Sequence, residues 1–259
     1  ASDGTATAKI TNNLSNRNLI INGAMQVAQR ATTSTASGLN TIDRMTWGLS
    51  GHSVTVTQSQ HALTSSDSGP WEKGFRNSCH IGLSAAGTMA ANTTMSMFYK
   101  VEAQDIANSG WDYTSSSSYL TLSFQIRSSK TGTYCVYLQS QDGTAYQYTQ
   151  EYTISSADTW EQKVLTFPGN SNLQFDNNNA VGLRIGWILA VGSGRYGTAG
   201  SWTTGSAYGT SNNVNFLDST DNIAYVTGVQ LEVGQFTSST LPPFQHESFG
   251  DNLARCQRY

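Results

Sequence analysis

The stretch from residue 119 to 140, YLTLSFQIRSSKTGTYCVYLQS, has the most regular strand pattern in the chain. Apolar residues alternate with polar ones in its first half, and again after a polar turn that ends at Gly132; the apolar positions are Leu120, Leu122, Phe124, Ile126, Tyr134, Val136 and Leu138. A period of two places every apolar side chain of a strand on one face. A polar turn with a glycine joins neighbouring strands. The stretch therefore predicts a β-hairpin in an antiparallel sheet.

Strand patterns recur along most of the chain, and no segment has the length of an ordinary helix. Further strands are predicted at residues 18–27, 77–83, 95–101, 146–154, 162–167, 183–191 and 223–233, and a second hairpin from strands 45–49 and 53–58. The run LRIGWILAV at 183–191 indicates a central strand covered on both faces, since it is apolar almost throughout. Helix is predicted only as one turn at 102–108 and as a short helix that Ser248 caps, with Leu253 and Cys256 on one side. The predicted fold class is all-β.

Charge is scarce in this sequence. Charged residues make up 12% of the 259, about half the usual share in globular proteins, and the formal net charge is −3. No run of Lys or Arg is present, so nucleic acid is not an expected partner. No apolar segment approaches the ~18 residues of a membrane span, and membrane insertion is not expected either. The cysteines Cys79, Cys135 and Cys256 are odd in number, which leaves at least one free thiol in a monomer and indicates folding in a reducing cytosol.

Several segments, taken together and in order, resemble a recurrent C-terminal domain of bacteriophage tail-fibre and virion-appendage proteins. They are NLIINGAMQVAQR, LTLSFQIRSSKTGTY, GTAGSW, YVTGVQLEVG and PPFQHESFGDNLARCQRY, and the match spans nearly all of residues 18–259. The two ends of the chain are also distantly similar to carbohydrate-binding modules with a β-jelly-roll fold, which begin with an N-L-I-x-N-G motif and close with a strand ending in L-E. The resemblance implies an antiparallel two-sheet β-sandwich (jelly roll) in which residues 19–21 lie beside residues 229–233.

With this resemblance, the chain divides into three parts. Residues 1–17 are a lead-in or linker, residues 18–240 form the β-jelly-roll domain, and residues 241–259 form a C-terminal tail with a short helix. Because 259 residues is a common length for one sandwich, a single main domain is expected.

The resemblance to carbohydrate-binding modules also raises the question of a structural calcium, which such modules often hold with acidic side chains near these two motifs. Here Ala24, Gln26 and the pair Thr227-Gly228 stand at those places, so most of the anionic oxygens that calcium prefers are missing. Glu232 is the only carboxylate at a matching position, and it is alternatively a surface or edge residue. We expect no metal and no cofactor.

Catalytic motifs are also missing from the sequence. The four histidines, His52, His61, His80 and His246, form neither a metal-ligand spacing nor a zinc-protease motif. Glycoside cleavage needs two carboxylates across a cleft, and no carboxylate of this chain sits in a motif. The protein is therefore not expected to be an enzyme.

Aromatic residues in loop-like sequence are the candidate ligand contacts, because aromatic rings pack against the apolar faces of sugars. The candidates are Trp202, Tyr196 and Tyr208 in the glycine-rich segment 192–213, together with Trp111, Tyr113 and Trp71. Each ring has an alternative role as a lid on the core or a subunit contact, since large aromatics usually end buried. Trp47, Trp160 and Trp187 lie in or against strands and are predicted to be core. Of these candidates, Trp202 supported by Tyr196 or Tyr208 is the predicted contact to a neutral glycan.

Two functions from different classes follow from the resemblance. In the first, the protein is a non-enzymatic phage virion surface protein, a fibre or appendage domain that recognises a host-cell surface glycan. In the alternative, it is a structural virion component, such as a capsid decoration or fibre adaptor without a ligand. Either form is expected on the virion surface after synthesis in the host cytoplasm, beside other virion proteins. A homotrimer is expected, because residues 241–244 and Leu253 offer apolar surface outside the sandwich.

Overall fold

The computed structural model describes residues 17–258, which form two antiparallel sheets packed face to face. In chain order the strands are β1 Thr33–Ser34, β2 Met45–Ser50, β3 Val56–Ala62, β4 Asn77–Leu83, β5 Thr94–Glu102, β6 Tyr119–Ser128, β7 Gly132–Ser140, β8 Tyr146–Ile154, β9 Glu161–Pro168, β10 Val181–Val191, β11 Trp202–Thr204 and β12 Ile223–Val233. Two short helices accompany them, α1 Ala103–Ala107 and α2 Phe249–Cys256.

Each sheet has six strands. Sheet A has the order β1-β3-β4-β12-β6-β9, and sheet B has the order β11-β8-β7-β10-β5-β2. Every pairing between these strands is antiparallel. The inward faces of both sheets meet in one large hydrophobic cluster with Leu122 and Phe124 on one side and Val136 and Trp187 on the other. The predicted fold class, an all-β antiparallel two-sheet sandwich of the jelly-roll type, is confirmed.

The stretch 119–140 does not form the predicted hairpin. β6 lies in sheet A between β12 and β9, whereas β7 lies in sheet B between β8 and β10, so the chain crosses from one sheet to the other at residues 129–131. The corner is held by the Tyr134 hydroxyl, which lies 3.0 Å from the Ser128 hydroxyl and donates to the Lys130 carbonyl at 2.8 Å. A hairpin and such a crossing bury the same alternate residues, so alternation alone does not distinguish them.

Two further local predictions are wrong for related reasons. Strands β2 and β3, predicted as a hairpin, belong to sheets B and A respectively. Residues 18–27 are a turn and irregular backbone rather than a strand, with positive φ angles at Asn22 and Met25. The strand predictions at 77–83, 95–101, 146–154, 162–167, 183–191 and 223–233 correspond to β4, β5, β8, β9, β10 and β12.

The N-terminal segment nevertheless lies beside β12, as the resemblance implies. The Leu19 amide donates to the Leu231 carbonyl at 3.0 Å. The buried side chain of Asn18 accepts from the amides of Ile20 at 3.0 Å and Leu231 at 2.9 Å, and its amide group donates to the Val229 carbonyl at 3.3 Å. The Asn18 side chain thus links the first segment of the domain to its last strand, β12.

The C-terminal tail packs on this N-terminal segment. The Ser248 hydroxyl accepts from the Asp251 amide at 3.1 Å and caps α2, whose Leu253 and Cys256 pack against Ile21 and Val27. Residues 1–16 of the predicted lead-in lie outside the described residues, and the three-part division of the chain stays a prediction.

All three cysteines are free and buried. Burial raises the thiol pKa of both Cys79 and Cys256 to about 12, so neither forms a reactive thiolate at neutral pH. Within residues 17–258, no helix has the length and apolar character needed to cross a membrane.

We expect Asn18→Ala to lower the free energy of unfolding by about 2–4 kcal/mol, because it leaves buried amides of the N-terminal segment and β12 without partners. Asn40→Ala is the matched control, since the Asn40 amide donates only to nearby loop carbonyls, those of Ala36 and Ser37. Urea denaturation of the two variants and the parent measures the difference. Equal stability of Asn18→Ala and Asn40→Ala would contradict the joining role of Asn18.

Candidate functional site

The structure does not bring the six predicted contact residues together. Trp202 lies opposite Tyr148 in the pairing of β11 with β8, and the two rings pack edge to face with centroids 5.4 Å apart. The Trp202 indole donates to the Pro168 carbonyl at 2.8 Å. Since Tyr148 points into the core, Trp202 closes the edge of the sandwich. It lies on the opposite side of sheet B from Tyr208 and does not form the predicted contact with it.

Three other candidates are also engaged in packing. Trp111 is buried in the main core, where it and Tyr113 pack against Phe175, with the Tyr113 and Phe175 ring centroids 5.0 Å apart. Trp71 is half-buried, and the Arg76 guanidinium lies 3.7 Å from its ring centroid. These rings lie outside the segment that carries the other three candidates.

Of the tryptophans predicted to be core, two are fully inside the protein and one is not. Trp47 and Trp187 are buried in the main core. Trp160 is only half-buried, and its indole donates to the Asp67 carboxylate at 3.1 Å.

Segment 192–213 folds back across the outer face of sheet B instead of projecting from it. Tyr208 packs on the Tyr137 ring with centroids 5.0 Å apart, beside a small outer apolar cluster that contains Ile188 and Val191. The Ala207 carbonyl accepts hydrogen bonds from the side chains of β8. Tyr196 is 38% exposed and is the residue of this segment with the most solvent-facing ring. Among the six candidates, Tyr208 lines a concave surface.

That surface is a groove of about 470 Å³ on the outer face of sheet B, which we call the sheet B groove. Strands β2, β5, β10 and β7 form its floor, and Ser37 and Gly38 lie on one side with Arg195 and Tyr208 on the other. The lining residues that face the groove from the floor are Gly48, Ser50, Thr94, Ser96, Phe98, Tyr137 and Arg184. Sequence reasoning missed all of these, because they lie on four separate strands.

Two glycines shape the floor of the groove. Gly186 pairs with Tyr137 on one side and with Phe98 on the other. A Cβ atom at residue 186 would lie 2.1 Å from Cε1 of Tyr137, so the tyrosine ring lies directly across this glycine. A Cβ atom at Gly48 would lie 3.2 Å from Cε1 of Phe98. The two rings can approach the sheet closely because these positions have no side chains.

Cationic side chains stack on the rings of the groove. The Arg184 guanidinium lies 4.0 Å from the Phe98 centroid and 5.9 Å from the Tyr137 centroid. Arg195 lies 6.0 Å from the Tyr208 centroid. Burial raises the pKa of Tyr137 well above its usual range, while the neighbouring Arg184 opposes the rise, so the phenol is protonated at neutral pH. The groove therefore offers ring faces and hydrogen-bond donors.

A larger cavity of about 850 Å³ lies at the end of the sandwich beside Arg17. Two ion pairs lie within its lining, with Arg17 3.1 Å from Glu232 and Arg258 3.0 Å from Glu102. Glu232, the residue considered for calcium, is buried, and this burial raises its pKa despite the opposing effect of Arg17. In the part of the chain that the structure describes, no three His, Cys, Asp or Glu side chains cluster as metal ligands.

The outer face of sheet A carries an aromatic patch that the sequence analysis did not predict. The rings of His61 and His80 lie 5.0 Å and 4.9 Å from the Tyr225 ring. Burial, together with the nearby His61, lowers the pKa of His80. Arg127 lies over the same tyrosine ring at 5.3 Å and is held by Asp67 at 3.4 Å. The cation of this patch thus already has a carboxylate partner, unlike the arginines of the sheet B groove.

No family model matches this sequence, and no curated protein is significantly similar to it. Solved structures with related folds include a tailspike protein 4 domain of bacteriophage CBA120, at 14% identity and a TM-score of 0.41 over 84% of this chain and 21% of that chain. They also include the family 11 carbohydrate-binding module of a cellulosomal cellulase of Clostridium thermocellum, at 10% identity and a TM-score of 0.40 over 80% of this chain and 97% of that one.

A third is the N-terminal cellulose-binding domain of a β-1,4-glucanase C from Cellulomonas fimi, at 8% identity and a TM-score of 0.39 over 82% of this chain and 100% of that one. The chain thus spans about a fifth of the tailspike chain and nearly all of each binding module. Because the TM-scores are below 0.5, these similarities do not indicate where a ligand would bind.

We expect Gly186→Ala to lower the free energy of unfolding by about 1–3 kcal/mol, because the new methyl group displaces the Tyr137 ring. In a Tyr137→Ala background the same substitution should be much less harmful, and a double-mutant cycle by thermal denaturation measures this coupling. Gly250→Ala serves as the control, since a Cβ atom there meets no neighbour within 4 Å. A Gly186→Ala effect that is unchanged without the Tyr137 ring would contradict the assigned contact.

Proposed function

We propose that this protein is a non-catalytic saccharide-binding domain and that the sheet B groove holds the saccharide. The observation that carries the proposal is the combination of two half-buried rings, Phe98 and Tyr208, with fixed polar groups in one concave surface. Small-molecule sites in proteins typically combine such apolar surface with a few placed donors and acceptors.

The chemistry of the groove matches that of a sugar. A pyranose ring has apolar C–H faces, which pack on aromatic rings, and hydroxyl edges, which need donors and acceptors. Phe98 and Tyr208 supply the ring faces, while the Ser96 hydroxyl and the Arg184 guanidinium supply polar groups beside them. These groups come from rigid strands and a packed segment, which reduces the entropy lost on binding.

The groove is suited to binding rather than to bond cleavage. None of its lining residues within the described chain is Asp, Glu, His or Cys. General acid–base catalysis and nucleophilic attack on a glycoside most often use a pair of carboxylates next to the scissile bond.

The sequence resemblance to phage tail-fibre and appendage domains supports a place for this domain on a virion surface, where it recognises a host-cell surface glycan. A stacked ring contributes about 1 kcal/mol, so one groove alone binds weakly, on the order of millimolar. Several copies acting together would supply the avidity that attachment needs. The homotrimer stays a prediction, and Phe244 and Leu253, apolar residues on which it rests, pack within this chain. Other virion proteins are then its structural partners, and the chain is synthesised in the host cytoplasm.

The proposed site differs from the one that the sequence favours. Trp202 uses its ring and indole N–H within the sandwich edge, whereas Tyr208 faces the groove. Tyr208 is therefore the member of the glycine-rich segment 192–213 that we assign to the saccharide.

We expect Tyr208→Ala to weaken saccharide binding about fivefold per site, the equivalent of one lost ring contact. Tyr196→Ala is the matched control, because Tyr196 lies in the same segment but does not line the groove. Binding of the full chain to an array of bacterial surface saccharides measures both variants, with melting temperatures recorded beside it.

Two results would count against the proposal. Undiminished binding by a folded Tyr208→Ala variant would remove the groove as the site. The absence of binding by the parent protein to any saccharide on the array would instead favour the structural virion component.

A further inference from the structure

We propose that the saccharide bound in the sheet B groove is anionic, with its carboxylate, sulfate or phosphate group held by Arg184 and Arg195, which line the groove, and by Lys100, which lies beside Arg184 outside the groove lining. This inference rests on the proposed function and specifies the chemical class of its ligand. It differs from the neutral glycan that segment 192–213 suggests, because strands β10 and β5 add Arg184 and Lys100 to Arg195, the one charged residue of this segment.

The first observation is a pair of like charges side by side. Arg184 on β10 stands directly opposite Lys100 on β5. Both cations lie over the same ring, with the Arg184 guanidinium 4.0 Å and the Lys100 amine 5.9 Å from the Phe98 centroid. Like charges directly opposite each other on a sheet are destabilising. A bound anion would relieve this repulsion.

The second observation is that no carboxylate among residues 17–258 forms an ion pair with these three cations. None of the ion pairs among residues 17–258 involves Arg184, Lys100 or Arg195. This is notable because the chain has 17 acidic residues and only 14 Lys and Arg residues. The groove therefore keeps its positive charge within an acidic protein.

The carboxylates closest along the neighbouring strands are engaged elsewhere. Glu102, two residues beyond Lys100, is bound by Arg258 at 3.0 Å and by Gln104 at 2.7 Å. Glu151 on β8 accepts hydrogen bonds from the Thr210 hydroxyl and, at 3.0 Å, from the Asn212 amide. These contacts remove both carboxylates as partners for the groove cations.

The third observation concerns the hydrogen bonds of Arg184. Its guanidinium is positioned by the Phe98 and Tyr137 rings and by a hydrogen bond to the Tyr137 phenol, and its buried Nε has no partner within residues 17–258. A guanidinium has five N–H donors, so one bond to a phenol leaves others that match the geometry of a carboxylate, sulfate or phosphate.

Together these features define how the ligand binds. The sugar ring packs against Phe98 and Tyr208, and its acidic substituent lies between Arg184 on the floor and Arg195 on the wall, with Lys100 beside Arg184. The cations and the aromatic rings lie next to each other, Arg184 at Phe98 and Arg195 at Tyr208. An uncharged sugar therefore lacks the ionic contacts, and a simple anion lacks the ring contacts.

The test compares acidic and neutral saccharides on one glycan array, with inorganic polyphosphate as an anion that has no sugar ring. Each charge is removed separately by Arg184→Gln, Lys100→Gln and Arg195→Gln in the full chain. Arg76→Gln is the matched control, since Arg76 also stacks on an aromatic ring, that of Trp71, but lies outside the groove. Melting temperatures identify variants that fold, and Lys100→Gln and Arg195→Gln carry the test if Arg184→Gln is unstable.

We expect acidic saccharides to bind, with roughly tenfold weaker binding after Arg184→Gln or Arg195→Gln, a smaller loss after Lys100→Gln and no loss after Arg76→Gln. Binding should also weaken as NaCl rises from about 0.05 M to about 0.5 M. Chemical reduction of the sugar carboxylates to alcohols then separates a carboxylate ligand, which loses binding, from a sulfate or phosphate ligand, which keeps it.

The contrary outcomes are distinct. Binding of neutral saccharides only, or equal weakening by Arg76→Gln, would overturn the inference and leave the saccharide site intact. Polyphosphate bound as tightly as the acidic saccharides would also overturn it. No binding to any saccharide would overturn the proposed function and this inference with it.

Discussion

The outer layer of sheet B depends on the missing side chain at Gly186. The Tyr137 ring lies across this position, where even a methyl group would collide with it. Tyr208 packs on Tyr137, and the backbone on either side of Tyr208 then follows the sheet as the wall of the groove. On the other side of Gly186, the Arg184 guanidinium stacks on the Phe98 ring. Gly186 thus permits the packing of Tyr137 and Tyr208, and Gly48 permits the close approach of Phe98 with its stacked cations.

The sequence predicted most strands and the fold class, but not which sheet each strand joins. Alternation in β6 and β7 correctly indicated which residues of each strand join the main core, but both strands are buried on both faces over most of their length rather than half-buried. The same alternation arises whether two strands pair side by side or face each other across a core, so the crossing at residues 129–131 could not be distinguished from a hairpin. The position of residues 18–27 beside β12 was implied by family resemblance, and the side chain of Asn18 is its physical basis.

The candidate site was harder to predict because its residues converge only through strand register. Loop position favoured Trp202, yet a three-residue strand, β11, pairs with β8 and turns this ring toward the core. The sequence did contain one usable signal. In the run LRIGWILAV, Arg184 and Gly186 occupy the same alternate face of an otherwise apolar strand, which marks an outer face with a special surface. Phe98 and Lys100 on β5 became part of that surface only through register.

The ligand-binding surface that we propose is the sheet B groove. Amide chemical-shift mapping by NMR, with the saccharide that binds best on a glycan array, tests it most directly. We expect the largest changes in amide chemical shift on the groove strands around Phe98 and Gly186 and in the wall around Tyr208. Changes confined to the Tyr225 patch of sheet A, or to the edge around Trp202, would contradict it.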